Sequence, residues 1–503
     1  MKGSYKVPDK IIVTKKDEVY AKIICEKHVA KELSEYFTFM VPGHQFTPAF
    51  RNRIWDGKIR LFNLSTSQIY LGLMSYLQNF CNEREYEFEC EVNLTDDYPV
   101  YHAKKFIEEL QLQSRGQDIE VRDYQIDAFV HGMRNHRNML LSPTASGKSL
   151  IIYLFVRQLI QYKQLRGLII VPTTSLVEQL YSDFVDYSSK NNWDVEENVH
   201  RVYQGKDKQT NKNVVISTWQ SLYTLPKEYF EQYDFIIGDE AHLFKAQSLT
   251  TIMTSLINTQ YRIGLTGTLD GTKTHKLVLE GLFGPVRKVV STKELMDSGQ
   301  VADLEIKCLV LKHDDDICKL MKKSKYPEEL EYLIFNVARN KFIRNLTLSL
   351  DGNSLILYQF VDKHGKILYN MLQEAEKLGD RKVFFIHGKV DADAREEVRR
   401  IMETETDAIV VASYGTFSTG INIRNLHNVI FASPSKSRVR NLQSIGRGLR
   451  QSEGKTVATL YDIADDLRHG EYTNFTLKHF TERVKIYNEE RFKYKIYKIA
   501  LKR

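Results

Sequence analysis

Ser142-Pro143-Thr144-Ala145-Ser146-Gly147-Lys148-Ser149 follows the apolar run Asn138-Met139-Leu140-Leu141 and precedes a helix-forming stretch from Leu150 to Tyr162. Strand, small-residue loop, Lys-Ser and helix, in that order, meet the needs of a triphosphate site. Backbone N–H groups of the loop and the positive end of the helix dipole face the β- and γ-oxygens. Lys148 supplies a mobile point charge and Ser149 a hydroxyl for Mg²⁺. Ser142, Thr144, Ser146 and Gly147 are the remaining loop positions expected to line the phosphates. A Gly-Lys-Ser triplet could cap any helix; its place between a buried strand and a helix argues for the phosphate loop.

Outward from this loop, Leu168-Ile169-Ile170-Val171, Val214-Val215-Ile216, Phe235-Ile236-Ile237 and Ile263-Gly264-Leu265 read as fully buried strands. Each is followed by small or polar residues and then a helical pattern. Near-continuous apolar runs separated by helices mean a parallel sheet covered on both faces. The grain then repeats in Leu355 to Tyr358, Val383 to Ile386, Ala408 to Val411, Val429 to Phe431 and Val457 to Leu460. The charged stretch Lys312-His313-Asp314-Asp315-Asp316 suits a linker or insertion.

Two further constellations carry chemistry. Phe235-Ile236-Ile237-Gly238-Asp239-Glu240-Ala241-His242 is an apolar strand ending in adjacent carboxylates. At that strand end Asp239 can hold a Mg²⁺ shell while Glu240 polarises the attacking water. Capping acids at a helix start are the alternative, disfavoured behind a phosphate loop. Gln443-Ser444-Ile445-Gly446-Arg447-Gly448-Leu449-Arg450 places two arginines three residues apart, on one helix face and able to reach a common anion. Guanidinium forks stabilise charge on a γ-phosphate; a surface pair bonded to a carboxylate is the alternative.

The order of these blocks from Arg122 to Arg450 resembles the superfamily-two helicases. Arg122-Asp123-Tyr124-Gln125 looks like the adenine-recognising motif, with Gln125 the reader. Val171 to Gln179 resembles motif Ia and Ser217 to Ser221 motif Ib. Asp239-Glu240-Ala241-His242 matches the DEAH form of motif II. Leu265-Thr266-Gly267-Thr268 resembles motif III, which implies a coupling role for Thr266 and Thr268. Ser418-Thr419-Gly420-Ile421-Asn422 resembles motif V, and Gln443 to Arg450 motif VI. The resemblance implies ATP and Mg²⁺ as cofactors, Lys148, Asp239, Glu240, Arg447 and Arg450 as catalytic residues, and His242, Gly420 and Gln443 among the nucleotide contacts. It departs from the usual pattern at Ala145 (commonly Gly), Ser149 (commonly Thr) and Gly267 (commonly Ala). No required charge or ligand is lost, so an active ATPase is expected.

More closely, the chain is similar to helicases of T-even bacteriophages in its length, in its small N-terminal domain with Trp55-Asp56-Gly57-Lys58, and in its Asp-Glu-Ala-His box. That resemblance implies ATP-driven remodelling of branched nucleic acid: stalled forks, Holliday junctions, D-loops and R-loops in recombination-dependent replication and repair. The implied partners are branched, single-stranded and duplex DNA, RNA:DNA hybrids, and recombination or single-strand-binding proteins, for a monomer in the host cytoplasm. The rivals are a double-strand translocase that does not separate strands and an ATP-regulated annealing protein.

The fold class expected is α/β: two tandem RecA-like parallel-sheet domains, 101–290 and 291–472, after a small α+β domain over 1–100 and before a basic helical tail over 473–503. Phe50-Arg51-Asn52-Arg53-Ile54-Trp55-Asp56-Gly57-Lys58-Ile59-Arg60-Leu61 interleaves cations with apolar residues. As a hairpin turning at Asp56-Gly57 it would align Arg51, Arg53, Lys58 and Arg60 along phosphates, with Trp55 free to stack on a base. The other reading is a half-buried hairpin with Trp55 in a core. Arg491 to Lys498 reads as the solvated face of a docking helix. The main nucleic-acid path is expected over strand ends carrying Thr173, Ser175, Thr218, Gly388, Thr416 and Thr419, which can bind phosphates without reading bases.

Composition sets the frame. The 503 residues carry 27% charged side chains and a formal net charge of +7, a mild excess that suggests local basic surfaces. Five scattered cysteines form no Cys-x-x-Cys pair, so neither a disulfide framework nor a zinc site is indicated. The first residues lack an apolar signal core, and no run approaches the ~18 apolar residues of a membrane span. A soluble cytoplasmic protein without membrane contact is expected.

Overall fold

A computed structural model describes residues 9–243, 247–420, 423–433, 435, 437–449 and 457–501. The chain forms two compact units: Met1–Ser142 with Gly147–Val289, and Pro143–Ser146 with Val290–Arg503.

The first unit opens with a five-stranded mixed sheet ordered Phe62–Asn63, Gln68–Tyr70, Tyr20–Ile24, Lys10–Lys15 and Glu87–Cys90. Alternation places Ile11, Val13, Ala21 and Ile23 on one face, where they pack with Val29 and Leu33 of the helix Lys27–Tyr36 and with Leu77 and Phe80 of Met74–Arg84. This is the α+β grain expected for the start of the chain.

A seven-stranded parallel sheet follows, ordered Val199–Val202, Val214–Thr218, Gly167–Val171, Phe235–Gly238, Tyr261–Thr266, Arg137–Leu141 and Val286–Lys288. Its inner strands are buried along nearly their whole length, as their unbroken apolar runs require when helices cover both faces. Tyr261–Thr266 lies between Phe235–Gly238 and Arg137–Leu141, with Leu141 opposite Thr266 and Gly238 opposite Gly264. The strand register thus brings three loops from separate parts of the sequence to one edge of the sheet.

The second unit holds another seven-stranded parallel sheet, ordered Val383–Ile386, Ile409–Ser413, Ser354–Tyr358, Asn428–Phe431, Val457–Asp466, Asp303–Lys312 and Tyr494–Ala500. Two expectations are corrected here. The stretch around Lys312 is no linker: Lys312 closes a ten-residue strand paired along its length with Val457–Asp466, and Asp315 and Asp316 open the helix Asp315–Met321. Acids in a first helical turn complement the helix dipole, which explains the charge run. Nor is the tail helical to its end. The helix Phe475–Glu489 gives way to the edge strand Tyr494–Ala500, paired with Ile306 to Lys312. Arg483 anchors that helix beneath the sheet, fully buried against Asp462, which also accepts from Tyr487 Oη at 2.8 Å.

Among the described residues no helix is long and apolar enough to cross a membrane.

Candidate functional site

The phosphate loop is shaped by backbone conformation before any ligand is considered. Ala145 and Gly147 both have positive φ, 69° and 79°, and Gly147 caps the helix Lys148–Lys163. A methyl on Gly147 would stand 2.3 Å from Gln125 Nε2, so this glycine is required twice, by its φ and by the amide packed against it. Ser142 N donates to Thr266 O at 2.8 Å, and Ser146 Oγ donates to Pro143 O at 2.6 Å. The helix is buried almost all round through Leu159, which fixes its N-terminal N–H groups in place.

Lys148 Nζ lies 3.3 Å from Ser142 O and 3.6 Å from Glu240 Oε1. Ser149 Oγ, read as a Mg²⁺ ligand, is 2.9 Å from Tyr187 Oη; Tyr187 was not singled out in the sequence, since nothing local marks it. Gln125 is buried, and its Oε1 accepts from Arg122 N at 3.0 Å. That bond is the Gln125 half of a capping box, since the Arg122 guanidinium has no acceptor to return it, and it holds the amide at the start of the helix Asp123–Arg134. Arg122 Nη1 donates to Tyr124 Oη at 2.8 Å.

Asp239 and Glu240 emerge where Phe235–Gly238 ends. Glu240 sits at φ 50°, a left-handed conformation costing a side-chain-bearing residue about 1–2 kcal/mol. Glu240 N donates back to Asp239 Oδ1 at 2.9 Å. Enclosure raises the Asp239 carboxyl above the ordinary range; the Glu240 charge adds to this and Lys148 opposes it. A site that penalises its own negative charge is suited to a cation. Hard oxygen donors, a carboxylate and a hydroxyl, match Mg²⁺, which takes few protein ligands and completes its shell with water and phosphate.

His242 is buried, its Nδ1 3.0 Å from Thr266 Oγ1 and 3.3 Å from Glu240 Oε2. Thr266 Oγ1 donates to Thr268 O at 2.9 Å. The motif II and motif III blocks are therefore joined side chain to side chain.

In the second unit, the helix Arg438–Gly448 presents Gln443 and Arg447, one turn apart and both partly exposed, while Asn441 and Ser444 are buried. Arg450 lies outside the described residues, and the Thr419 and Gly420 side positions on the helix Tyr414–Gly420 are likewise not described.

The loop residues assigned to nucleic acid divide in two groups. Ser175 is exposed and Gly388 faces open space. Thr173 caps the helix Thr174–Tyr187 by accepting from Leu176 N, Thr218 Oγ1 is 3.0 Å from Ser221 Oγ, and Thr416 Oγ1 is 2.8 Å from Ser413 Oγ. A cleft of about 640 Å³ joins Thr173 and Thr218 to Tyr203, Lys206 and Lys208. The two lysines escaped the sequence reading, although Tyr203-Gln204-Gly205-Lys206 carries the signal of a glycine turn beside a cation.

The Asp56-Gly57 hairpin does not form. Thr47 caps a short helix, Pro48–Arg51, and Lys58–Arg60 pairs instead with Thr38–Met40. Arg53 occupies a turn at φ 55°. Arg51, Arg53, Lys58 and Arg60 all remain exposed, though Arg60 is ion-paired with Asp56. Trp55 is half-buried, its Nε1 donating to Lys58 O at 2.9 Å. Arg51, Arg53, Trp55 and Arg60 line one cleft of about 820 Å³ together with Ile54, which is 80% exposed.

Comparison with known proteins agrees with this layout. Residues 10–91 match the family described as DNA helicase UvsW, N-terminal; 118–271 match type III restriction enzyme, res subunit; and 338–452 match the helicase conserved C-terminal domain. The chain is 23% identical over 450 residues to a DNA 3'-5' translocase, XPB2, of Sulfurisphaera tokodaii, covering 83% of this chain and 93% of that one. It is 33% identical over 493 residues to the ATP-dependent DNA helicase UvsW of phage T4, covering 95% of this chain and 97% of the relative. The crystal structure of T4 UvsW superposes with a TM-score of 0.52 over 98% of this chain and 100% of that one. Identity at this level over 95% of the chain, with a matching N-terminal family model, places the chain in the family of the T4 helicase UvsW, among the superfamily-two ATP-dependent helicases.

Proposed function

We propose that this helicase is a motor that remodels branched nucleic acid, acting on stalled forks, Holliday junctions, D-loops and R-loops. The observation that carries the proposal is the meeting of Lys148, Glu240, His242 and Thr266 at one sheet edge, in a chain whose basic, aromatic N-terminal cleft is separate from that edge.

In this reading Gln125 reads the adenine edge, and the loop N–H groups with Lys148 hold the β- and γ-phosphates. Ser149 and Asp239 would hold Mg²⁺, which when bound neutralises phosphate charge. Glu240 orients the attacking water, its side chain kept in place by Lys148 and His242. Arg447, with Arg450, is assigned the charge developing on the γ-phosphate. Thr266 and Thr268 pass the change in charge at Glu240 to the sheet. Ser175, Gly388 and the Lys206 loop grip phosphates without sequence preference, while the Trp55 cleft recognises the junction by shape.

The deciding experiment measures ATP turnover with single-stranded, duplex, forked and RNA:DNA hybrid stimulators side by side, with strand displacement on the same substrates. Forks should stimulate most and be resolved. Equal stimulation by linear and branched DNA refutes the branched-substrate reading; strong turnover without displacement replaces it with double-strand translocation.

A further inference from the structure

The helix Lys273–Leu282 belongs to two neighbourhoods at once. On one side it seats the N-terminal domain. Leu277, 2% exposed, packs into that domain's core with Leu61, Leu71 and Leu73. Tyr76 Oη donates to Glu280 Oε2 at 2.6 Å, and Lys273 Nζ stands 5.2 Å from the Phe39 ring centre. On the other side, from its first turn, the same helix reaches the Asp-Glu-Ala-His loop. His275 Nε2 donates to the backbone carbonyl of His242 at 2.9 Å, and His275 Nδ1 lies 2.9 Å from Asp270 Oδ1.

The entry to the helix is equally fixed. Thr272 Oγ1 accepts from His275 N at 3.3 Å, while the Thr272 N–H and hydroxyl donate to Asp270 Oδ1 at 2.9 and 2.8 Å. Asp270 follows Thr268 by two residues, so the end of the motif III block and the first turn of the docking helix form one bonded unit. The imidazole of His275 is 6% exposed, and its two nitrogens face two acceptors, a carbonyl and a carboxylate. An aliphatic replacement cannot donate to the buried His242 carbonyl, and a buried acceptor left without a donor is costly, whereas Asp270 keeps its two Thr272 donors.

Taken in order, the contacts run from the N-terminal core through Leu277 to His275, then to the His242 backbone, the His242 side chain, Glu240 and Lys148. We propose that His275 is a positioning residue for ATP hydrolysis, tying the loop that carries Glu240 to the helix on which the N-terminal domain sits, so that the seating of that domain sets the turnover rate. This rests on the reading of Glu240 as the group that orients water. It adds a route by which a junction held in the N-terminal cleft alters turnover without touching the nucleotide.

The test uses the full chain with forked DNA, measuring steady-state ATP turnover and binding of a fluorescent ATP analogue. His275→Ala should lower kcat roughly 10- to 100-fold, the loss typical of a misplaced reacting group, and leave KM and analogue binding within about twofold. Tyr76→Phe, on the far side of the helix, should lower kcat about threefold, and the double variant should be no slower than His275→Ala alone. Wild-type kcat in His275→Ala, a loss shared equally by kcat and analogue binding, or losses that multiply in the double variant each overturn the proposal. If His275→Ala fails to fold by circular dichroism, Asp270→Asn decides: reduced kcat supports the link and unchanged kcat ends it. Glu240→Gln run in parallel separates the two readings. If it is dead while His275→Ala is fully active, only this inference falls; if Glu240→Gln itself turns over ATP, the site assignment fails.

Discussion

Gly72→Ala should separate the N-terminal domain from its seat and lower stability measurably. The ideal methyl would lie 1.9 Å from the Glu280 carbonyl oxygen and 2.8 Å from that of Gly281, against an ordinary contact of about 3.5 Å. Both obstacles are backbone, so no side chain can swing aside, and the two segments must part by more than an ångström. Overpacking of this kind costs about 1–3 kcal/mol. Parting the segments also loosens the Tyr76–Glu280 bond, at 2.6 Å to a buried carboxylate, worth about 1–2 kcal/mol more. A total of about 2–5 kcal/mol corresponds to a fall in the unfolding midpoint of roughly 4–10 °C for a unit of this size. Calorimetry on the full chain reads it directly, with Gly388→Ala as the control: nothing lies within 4 Å of a methyl there, and a shift under about 0.5 kcal/mol is expected. A Gly72→Ala midpoint equal to that of the control would refute the packing argument and with it the rigid seat.

Lys148→Ala should cut ATP turnover by about 10²–10³-fold while moving the unfolding midpoint by no more than about 4 °C, since its 3.6 Å approach to Glu240 is a modest pair; near-normal turnover would remove the phosphate-loop assignment. Nucleic-acid affinity should fall steeply with salt. Four or five engaged cations among Arg51, Arg53, Lys58, Arg60 and Lys206 give a log–log slope of about −4, or about 10²-fold between 50 and 200 mM, and a flat titration would count against them. Asp465 is buried; burial alone would raise its carboxyl, but Arg339 and His313 outweigh this and hold it below the ordinary range. Its contribution is present above the unfolded value near pH 4 and lost as pH falls through the lower folded value. Asp465→Asn should therefore cost about 3–5 kcal/mol at pH 7 by leaving Arg339 buried without its partner, and should flatten the acid limb of the stability curve; an unchanged acid limb in chemical denaturation would contradict the pairing.

The parts of this molecule that were legible in the sequence are those whose cause is local. Leu168 to Val171 or Leu355 to Tyr358 could be read as strands because a strand covered on both faces has no polar position to interrupt it. Gly147 could be read because a phosphate loop demands a residue without a side chain at its turn, and the structure adds the Gln125 amide as a second demand. Thr47-Pro48 is a local signal that the hairpin expectation passed over. A threonine cap with proline at the first helical position begins a helix, and the helix Pro48–Arg51 stands where one arm of the hairpin was expected.

What stayed illegible has partners distant in the chain. Tyr494-Lys495-Ile496-Tyr497-Lys498-Ile499-Ala500 alternates as a strand should, yet its lysines suited a solvated helix face equally well. Only the free edge of Asp303–Lys312, far earlier in sequence, decides between them. His275 is the sharper case. Asp270 and Thr272 stand within one turn of it, so its neighbours along the chain suggest nothing beyond a capped helix start. Its meaning comes from the His242 carbonyl, brought within reach because Tyr261–Thr266 inserts between the strands that end in Lys148's loop and in Asp239-Glu240. Strand order in a parallel sheet is set by crossover packing and not by any motif. A residue whose work depends on that order is therefore found by geometry, and its substitution should disturb catalysis while leaving every helicase motif intact.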